Sequence, residues 1–92
     1  MTERRVLIYG VGQTGNMVAS ILELDRMVEI VGFADDDETR WEERPRGYEV
    51  LGGRAFTEAG RGFDCVAVAL GQVEPRRALA RWLHERDVPQ QS

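Results

Sequence analysis

Short apolar runs alternate along the chain with segments whose apolar residues recur at helical spacing. Residues 6–9, 28–34 and 64–70 are largely apolar, and glycine or aspartate follows each run. Continuous apolar runs of this length are typical of strands that are buried on both faces. A fourth, shorter strand is predicted at residues 48–51, where a Gly-Gly pair ends the run.

Helical spacing appears after the first and the last of these runs. Residues 16–25 predict an amphipathic helix that buries Met17, Val18, Ile21 and Leu22. A brief helix is predicted at residues 54–59. The final helix takes Pro75 into its first turn and ends near Arg86. Its buried side is predicted to consist of Ala78, Leu79, Trp82 and Leu83.

The predicted order is β-α-β-(β)-α-β-α, which defines the fold class. Strands that alternate with helices imply a parallel sheet with right-handed crossovers. With 92 residues, the chain is expected to form one small domain over residues 1–92. We therefore predict a three-layer α/β/α domain with about four parallel strands. A sheet this small leaves an edge exposed, so self-association or pairing with a partner chain is also expected.

Composition narrows the classes of function. The net charge of −4 argues against a surface that binds nucleic acid or an anionic membrane. The single cysteine, Cys65, allows no internal disulfide, and no Cys/His cluster indicates a metal site. No apolar run approaches the roughly 20 residues of a membrane span, and no signal peptide is recognised. We therefore expect a cytoplasmic protein.

A G-x-G-x-x-G pattern joins the first predicted strand to the first helix. Gly10 permits a tight turn, Gly12 lets a phosphate approach the backbone, and Gly15 lets helix and strand pack closely. Asp35 lies twenty residues after Gly15, at the end of the next strand, where a carboxylate can accept hydrogen bonds from ribose hydroxyls or a base edge. This context favours a nucleotide ligand over a glycine turn that binds nothing.

The residues outside this pattern offer no catalytic set. There is no Ser–His–Asp or Cys–His arrangement, and the absence of lysine excludes a Tyr–Lys pair. We interpret Cys65 as an inert core residue, His84 and Asp37 as surface residues, and Trp41 as an aromatic side chain that folds its loop back on the domain. The arginines of that loop (Arg40, Arg44 and Arg46) alternate with acidic residues, which favours a solvated face over an anion clamp.

Four sequence blocks resemble the N-terminal domain of bacterial nucleotide-sugar acetyltransferases, the PglD-like and NeuD-like family. They read VLIYGVGQTG, VEIVGFADDD, GYEVLGG and VAVALGQVEPRRALARWL, and together they cover roughly residues 5–86. The resemblance implies a Rossmann-like domain that binds a UDP-sugar. In the family, a left-handed β-helix that binds acetyl-CoA and forms trimers follows this domain and carries the catalytic histidine. None of the 92 residues resembles that β-helix.

Carried over by position, the resemblance implies a set of ligand-binding residues. The loop would contact phosphate or sugar, the end of the second strand would contact uridine, and the turn after the last strand would line the same cleft. These residues are Gly10, Gly12, Gln13, Thr14, Gly15, Asp35, Asp36, Gly71 and Gln72. The family often has a histidine in the loop, where this chain has Gln13 and Thr14.

Two other functions remain open from the sequence. The domain could bind NAD(H) or a CoA-type nucleotide and act as a regulatory sensor. Alternatively, its glycine loop could bind nothing, and the domain would serve as a protein-interaction module. The sequence leads us to expect a domain that is not catalytic alone.

Overall fold

Three strands and three helices alternate in the computed structural model, which describes residues 3–60 and 62–91. Two short 3-10 turns, Glu38–Arg40 and Pro45–Gly47, lie between the second strand and the second helix. In chain order, the elements are β1 (Arg4–Tyr9), α1 (Gln13–Leu22), β2 (Val28–Ala34), α2 (Arg54–Ala59), β3 (Cys65–Val68) and α3 (Val73–Glu85).

The sheet is parallel, with the strand order β2-β1-β3. β1 is therefore central, and its residues from Val6 to Tyr9 are almost completely buried. The predicted sheet of about four strands has three in the structure. The segment at residues 48–51 makes a single parallel bridge, between Val50 and Phe33. It is too short for a full strand because the chain leaves a 3-10 turn at Gly47 and enters α2 at Arg54.

Extended segments pair with both outer strands. Beside β2, the amide of Phe33 donates to the carbonyl oxygen of Glu49 at 2.9 Å. The amide of Leu51 donates to the carbonyl oxygen of Phe33 at 2.8 Å. Beside β3, the amide of Val66 donates to Pro89 and the amide of Gln91 donates to Val66. These segments cover the middle of each outer strand, and the self-association expected from an exposed sheet edge stays a prediction.

The helices cover both faces of the sheet, which confirms the three-layer α/β/α architecture. α1 covers one face, over a core that includes Val6, Ile8 and Phe33. α2 and α3 cover the other face, over a core that includes Leu7, Leu79 and Leu83. The alternation of β1 residues between the two cores follows from the two-residue period of a strand.

Two predicted helix faces are wrong in part. In α1, Met17 and Ile21 are 58% and 61% exposed, whereas Val18 and Leu22 pack against the core. In α3, Ala78 is exposed, because the buried stripe consists of Leu79 and Leu83, one turn apart. Adjacent helical residues are separated by about 100° around the axis, so one apolar neighbour points away from the core.

The remaining core predictions agree with the structure. Cys65 is buried, and burial raises the pKa of its thiol. Trp82 is partly buried against the core of the second face, with the guanidinium carbons of Arg54 and Arg86 at 4.8 and 4.3 Å from its ring centre. Across residues 3–60 and 62–91, no helix is long and apolar enough to span a membrane.

Candidate functional site

A cleft opens where the central strand β1 ends and the chain enters α1. It has a volume of about 220 Å³, and we call it the glycine-loop cleft. Parallel α/β sheets bind ligands beyond the carboxyl ends of their strands, where connections leave in opposite directions. Here β1 connects onward to β2 on one side, while β3 lies on the other. The lining residues are Gly10, Gly12, Gln13, Thr14, Asp35, Arg40, Ala69, Leu70 and Gly71.

At two positions of the loop, neighbouring backbone atoms leave no space for a side chain. Gly10 has a φ of +127°, and a Cβ atom there would lie 2.5 Å from the carbonyl oxygen of Ala69. A Cβ at Gly15, inside α1, would collide with the carbonyl oxygen of Gly10 and would also crowd the ring of Phe33. Gly15 thus permits the close packing of α1 on the sheet, as its position in the motif predicts.

Gly12 has a different environment. A Cβ atom at Gly12 would have one protein neighbour within 4 Å, an Arg40 guanidinium nitrogen at 3.7 Å. Gly12 has a negative φ of −76°, which any residue adopts, so neither its backbone conformation nor neighbouring atoms require glycine. The absent side chain instead leaves open space in the cleft.

The amino end of α1 faces this space without a capping side chain. The N-cap residue is Gly12, which has no side chain that could accept a hydrogen bond from the helix. The first turn of α1 contains no acidic residue. The first N–H groups of a helix have no partner inside it, and the helix dipole places partial positive charge there. An uncapped helix start beside a glycine loop is suited to an anion such as a phosphate.

Asp35 lines the cleft, and its carboxylate holds the glycine loop in place. One oxygen accepts a hydrogen bond from the amide of Val11 at 2.8 Å, and the other accepts from the amide of Asp37 at 2.9 Å. Each carboxylate oxygen can accept a second bond, so the group can still receive a ligand hydroxyl. Asp35 therefore supports the loop and also presents acceptor atoms to the cleft.

Arg40 lines the cleft, although the sequence analysis assigned it to a solvated face. It ends the first 3-10 turn, and its guanidinium group forms a salt bridge with Glu43 at 3.0 Å. The hydrogen bonds that the Arg40 guanidinium donates to the Glu43 carboxylate raise the pKa of Arg40. The surrounding alternation of arginines and acids favoured a solvated face, and only the fold places Arg40 over Gly12. Arg40 and Gly12 are far apart in the sequence, so the sequence pattern did not indicate that both line one cleft.

Asp36 lies outside the lining of the cleft. Its carboxylate accepts a hydrogen bond from the Tyr9 hydroxyl at 2.5 Å and forms a two-point salt bridge with Arg54. Burial, followed by the bond to Asp36, raises the pKa of Tyr9 well above its ordinary value. Asp36 thus connects the end of β2 to β1 and α2, whereas its predicted contact with uridine stays a prediction.

The other singled-out residues lie around the cleft. The Trp41 indole nitrogen donates to the carbonyl oxygen of Asp35 at 2.9 Å, which draws the loop back onto the domain. Asp37 caps the first 3-10 turn, and the hydrogen bond from the Thr39 hydroxyl lowers the pKa of its carboxyl group. Gln72 is the N-cap residue of α3 and does not line the cleft, and His84 is exposed.

A larger hollow elsewhere lacks these features. It measures about 370 Å³, lies at the carboxyl end of α3, and is lined by His84, Asp87, Val88, Pro89 and Gln90. The hollow has neither a glycine loop nor a helix amino terminus. The glycine-loop cleft is smaller but combines partial positive charge, a guanidinium group and carboxylate acceptors. It can therefore receive a ligand that carries both phosphate and hydroxyl groups.

Comparison with known proteins agrees with this architecture. A solved structure of UDP-D-quinovosamine 4-dehydrogenase from Vibrio fischeri matches with a TM-score of 0.77 and 21% identity, over 95% of this chain and 75% of that one. RSP, a Rex-family repressor, matches with a TM-score of 0.72 and 14% identity, over 95% of this chain and 43% of the repressor. Both chains share the Rossmann-like α/β fold. No curated protein sequence matches the chain.

Residues 5–83 match the family model of the PglD N-terminal domain. That match covers most of the chain, so the chain belongs to the PglD N-terminal domain family. The resemblance of its four sequence blocks to this family is confirmed.

Proposed function

We propose that the glycine-loop cleft binds the phosphate groups of a nucleotide sugar, with a UDP-sugar as the ligand class. The observation that carries this proposal is the uncapped start of α1, which faces open space left by Gly12. In this account, the domain is the substrate-binding part of a sugar acetyltransferase and is not catalytic alone. A UDP-sugar ligand also suits the cytoplasmic location expected from the sequence.

Charge in the cleft supports a phosphate ligand. The chain as a whole carries a net charge of −4, so a diphosphate needs a local positive site. Arg40 and the amino end of α1 both lie on this cleft. A guanidinium group that bonds a phosphate makes a charge-assisted hydrogen bond, which is stronger than a neutral one.

The nucleoside part would lie toward Asp35. Its carboxylate oxygens keep free acceptor positions after bonding the loop amides, and a ribose hydroxyl or a uracil N–H can donate to them. Gly71, at the opposite wall, completes the cleft after β3. One structural neighbour is a UDP-sugar dehydrogenase, and its shared fold is compatible with such a ligand.

The experiment is isothermal titration calorimetry of the chain with UDP, UDP-GlcNAc, NAD⁺, NADH and acetyl-CoA. We expect binding of UDP and UDP-GlcNAc in preference to the other three. Binding of NAD(H) alone would favour a nucleotide sensor instead. Absence of binding by every ligand would favour an interaction domain whose glycine loop is vestigial.

A matched pair of arginine variants tests the site itself. Arg40→Gln removes the cleft guanidinium and should weaken UDP-GlcNAc binding by about tenfold or more, since a hydrogen bond to a charged group contributes about 1.5–3 kcal/mol. Arg44→Gln is the control, because Arg44 bonds only the carbonyl oxygens of Glu42 and Glu43 and does not line the cleft. Equal affinities of the two variants would refute the proposed phosphate site.

A further inference from the structure

One side-chain hydrogen bond connects residues 38–44, which we call the Arg40 segment, to the rest of the domain. Apart from Arg40, every residue of this segment is exposed. Among the described residues, the hydrogen bonds of the segment end within residues 37–47, with one exception. The exception is Trp41, whose indole nitrogen donates to the carbonyl oxygen of Asp35 at 2.9 Å. Trp41 therefore sets the position of the segment against the domain.

The Trp41 ring also packs against the backbone where α2 begins. Gly53 is the N-cap residue of α2, and a Cβ atom there would lie 3.3 Å from an indole carbon of Trp41. The same Cβ atom would lie 3.0 Å from the carbonyl oxygen of Asp35. A glycine at this position thus leaves room for the ring beside the carbonyl group that accepts its hydrogen bond. Trp41 is 36% exposed, so most of its surface is covered by these contacts.

Asp35 joins the Arg40 segment to the glycine loop. Its carbonyl oxygen accepts the bond from Trp41, while its carboxylate accepts the bond from the Val11 amide at 2.8 Å. The backbone of Asp35 is itself fixed, because its amide donates to the carbonyl oxygen of Gly52 at 2.9 Å. Two walls of the glycine-loop cleft are therefore held by one residue, and the bond from Trp41 sets the distance between them.

The guanidinium group of Arg40 has a defined orientation in the segment. Its Nε and Nη2 atoms donate to the Glu43 carboxylate at 3.0 and 3.4 Å. Its Nη1 atom lies 3.7 Å from the position that a Cβ atom of Gly12 would occupy. Each terminal guanidinium nitrogen carries two N–H groups, so Nη1 can donate to a ligand while Glu43 holds the opposite edge. The orientation suits a phosphate in the space beside Gly12.

We propose that Trp41 is a positioning residue for this cleft, which acts by holding Arg40 where its Nη1 atom meets a phosphate of the nucleotide sugar. This role rests on the proposed function, and Trp41 itself contacts no part of the ligand. An arginine side chain loses much rotational freedom when it is ordered. Binding is stronger when that ordering precedes the ligand, and the Trp41 bond supplies it in the free protein.

A double-mutant cycle tests whether Trp41 acts through Arg40. Amide ¹H–¹⁵N NMR titration with UDP-GlcNAc measures the affinities of the parent, Trp41→Phe, Arg40→Gln and the double variant. Trp41→Phe keeps a ring against Gly53 but removes the indole N–H, so it should weaken binding by about three- to tenfold. In the Arg40→Gln background, the same change should alter the affinity by less than about twofold, because the group that Trp41 positions is gone.

The other tryptophan of the chain provides the matched control. Trp82 lies on α3 and does not line the cleft, so Trp82→Phe should leave the affinity of the folded protein for UDP-GlcNAc unchanged. Equal losses on Trp41→Phe in both backgrounds would overturn the proposal, since Trp41 would then contact the ligand directly. A Trp41→Phe variant that binds as tightly as the parent would also overturn it.

The ligand-free protein gives a readout that does not depend on nucleotide binding. Arg40→Gln should shift the amide resonance of Gly12, and Trp41→Phe should shift it in the same direction, because both remove the guanidinium group from this position. An unchanged Gly12 resonance in Trp41→Phe would refute the positioning of Arg40 by Trp41. A parent that does not bind UDP-GlcNAc would instead refute the proposed function, and the role in binding with it.

Discussion

At the scale of single residues, the three glycines of the loop have separate physical roles. Gly10 and Gly15 are required because backbone atoms occupy the space of a side chain, whereas Gly12 borders open space. The spacing of the motif predicted these roles from the sequence. It could not predict the partners of Asp36, because Arg54 and Tyr9 are distant in the chain and meet it only through the fold.

Two alanine substitutions should show which glycine of the loop the fold requires. Gly15→Ala should lower the free energy of unfolding by about 3 kcal/mol or more, since the new Cβ meets a backbone carbonyl that cannot move aside. Gly12→Ala should change it by less than about 1 kcal/mol, because it alters only an N-cap with an ordinary φ. Urea denaturation measures both. Similar stabilities of the two variants would contradict this assignment.

The raised pKa of Tyr9 predicts that the protein loses stability in alkaline solution. The unfolded chain releases the tyrosine proton near its ordinary pKa of 10.0, whereas burial and the bond to Asp36 keep Tyr9 protonated in the folded protein. The folded state then holds more protons, so the stability contributed by Tyr9 is present below pH 10 and falls as the pH rises above it. Urea denaturation at several pH values should give a steeper alkaline loss for the parent than for Tyr9→Phe. Parallel curves above pH 10 would exclude this role.

At the scale of elements, the apolar runs predicted the strands well because each is buried on both faces. β2 and α2 have the predicted bounds, Val28–Ala34 and Arg54–Ala59. The incorrect predictions share a physical cause. Hydrophobic periodicity identifies an apolar face, but it does not show which elements pack against that face. Residues 48–51 are extended but pair only briefly, and Met17 is apolar but exposed.

The extended segment beside β3 should protect the sheet. Ending the chain after Val88 removes the two backbone hydrogen bonds that join residues 89–91 to Val66. We expect a loss of about 1–3 kcal/mol of stability, and faster hydrogen exchange of the Val66 amide. Gln90→Ala is the control, since it removes the side-chain bond to Ala80 but leaves the backbone pairing. Unchanged exchange at Val66 in the truncated chain would show that this pairing does not stabilise β3.

At the scale of the whole molecule, the parallel sheet brings separate segments to one edge. The glycine loop, the end of β2, the first 3-10 turn and the turn after β3 all contribute to the glycine-loop cleft. The sequence predicted most of this set, because strand ends of a parallel sheet meet at the same edge. Arg40 was missed because loop conformation, rather than strand order, places it there.

The most direct test of the central claim is an amide ¹H–¹⁵N NMR titration with UDP-GlcNAc. If the cleft binds the nucleotide sugar, saturable shifts should be largest for Gly12, Gln13, Thr14 and Gly71, with smaller shifts on α3. Shifts confined to other surfaces, or no shift at millimolar ligand, would contradict the claim that this cleft is a nucleotide-sugar site.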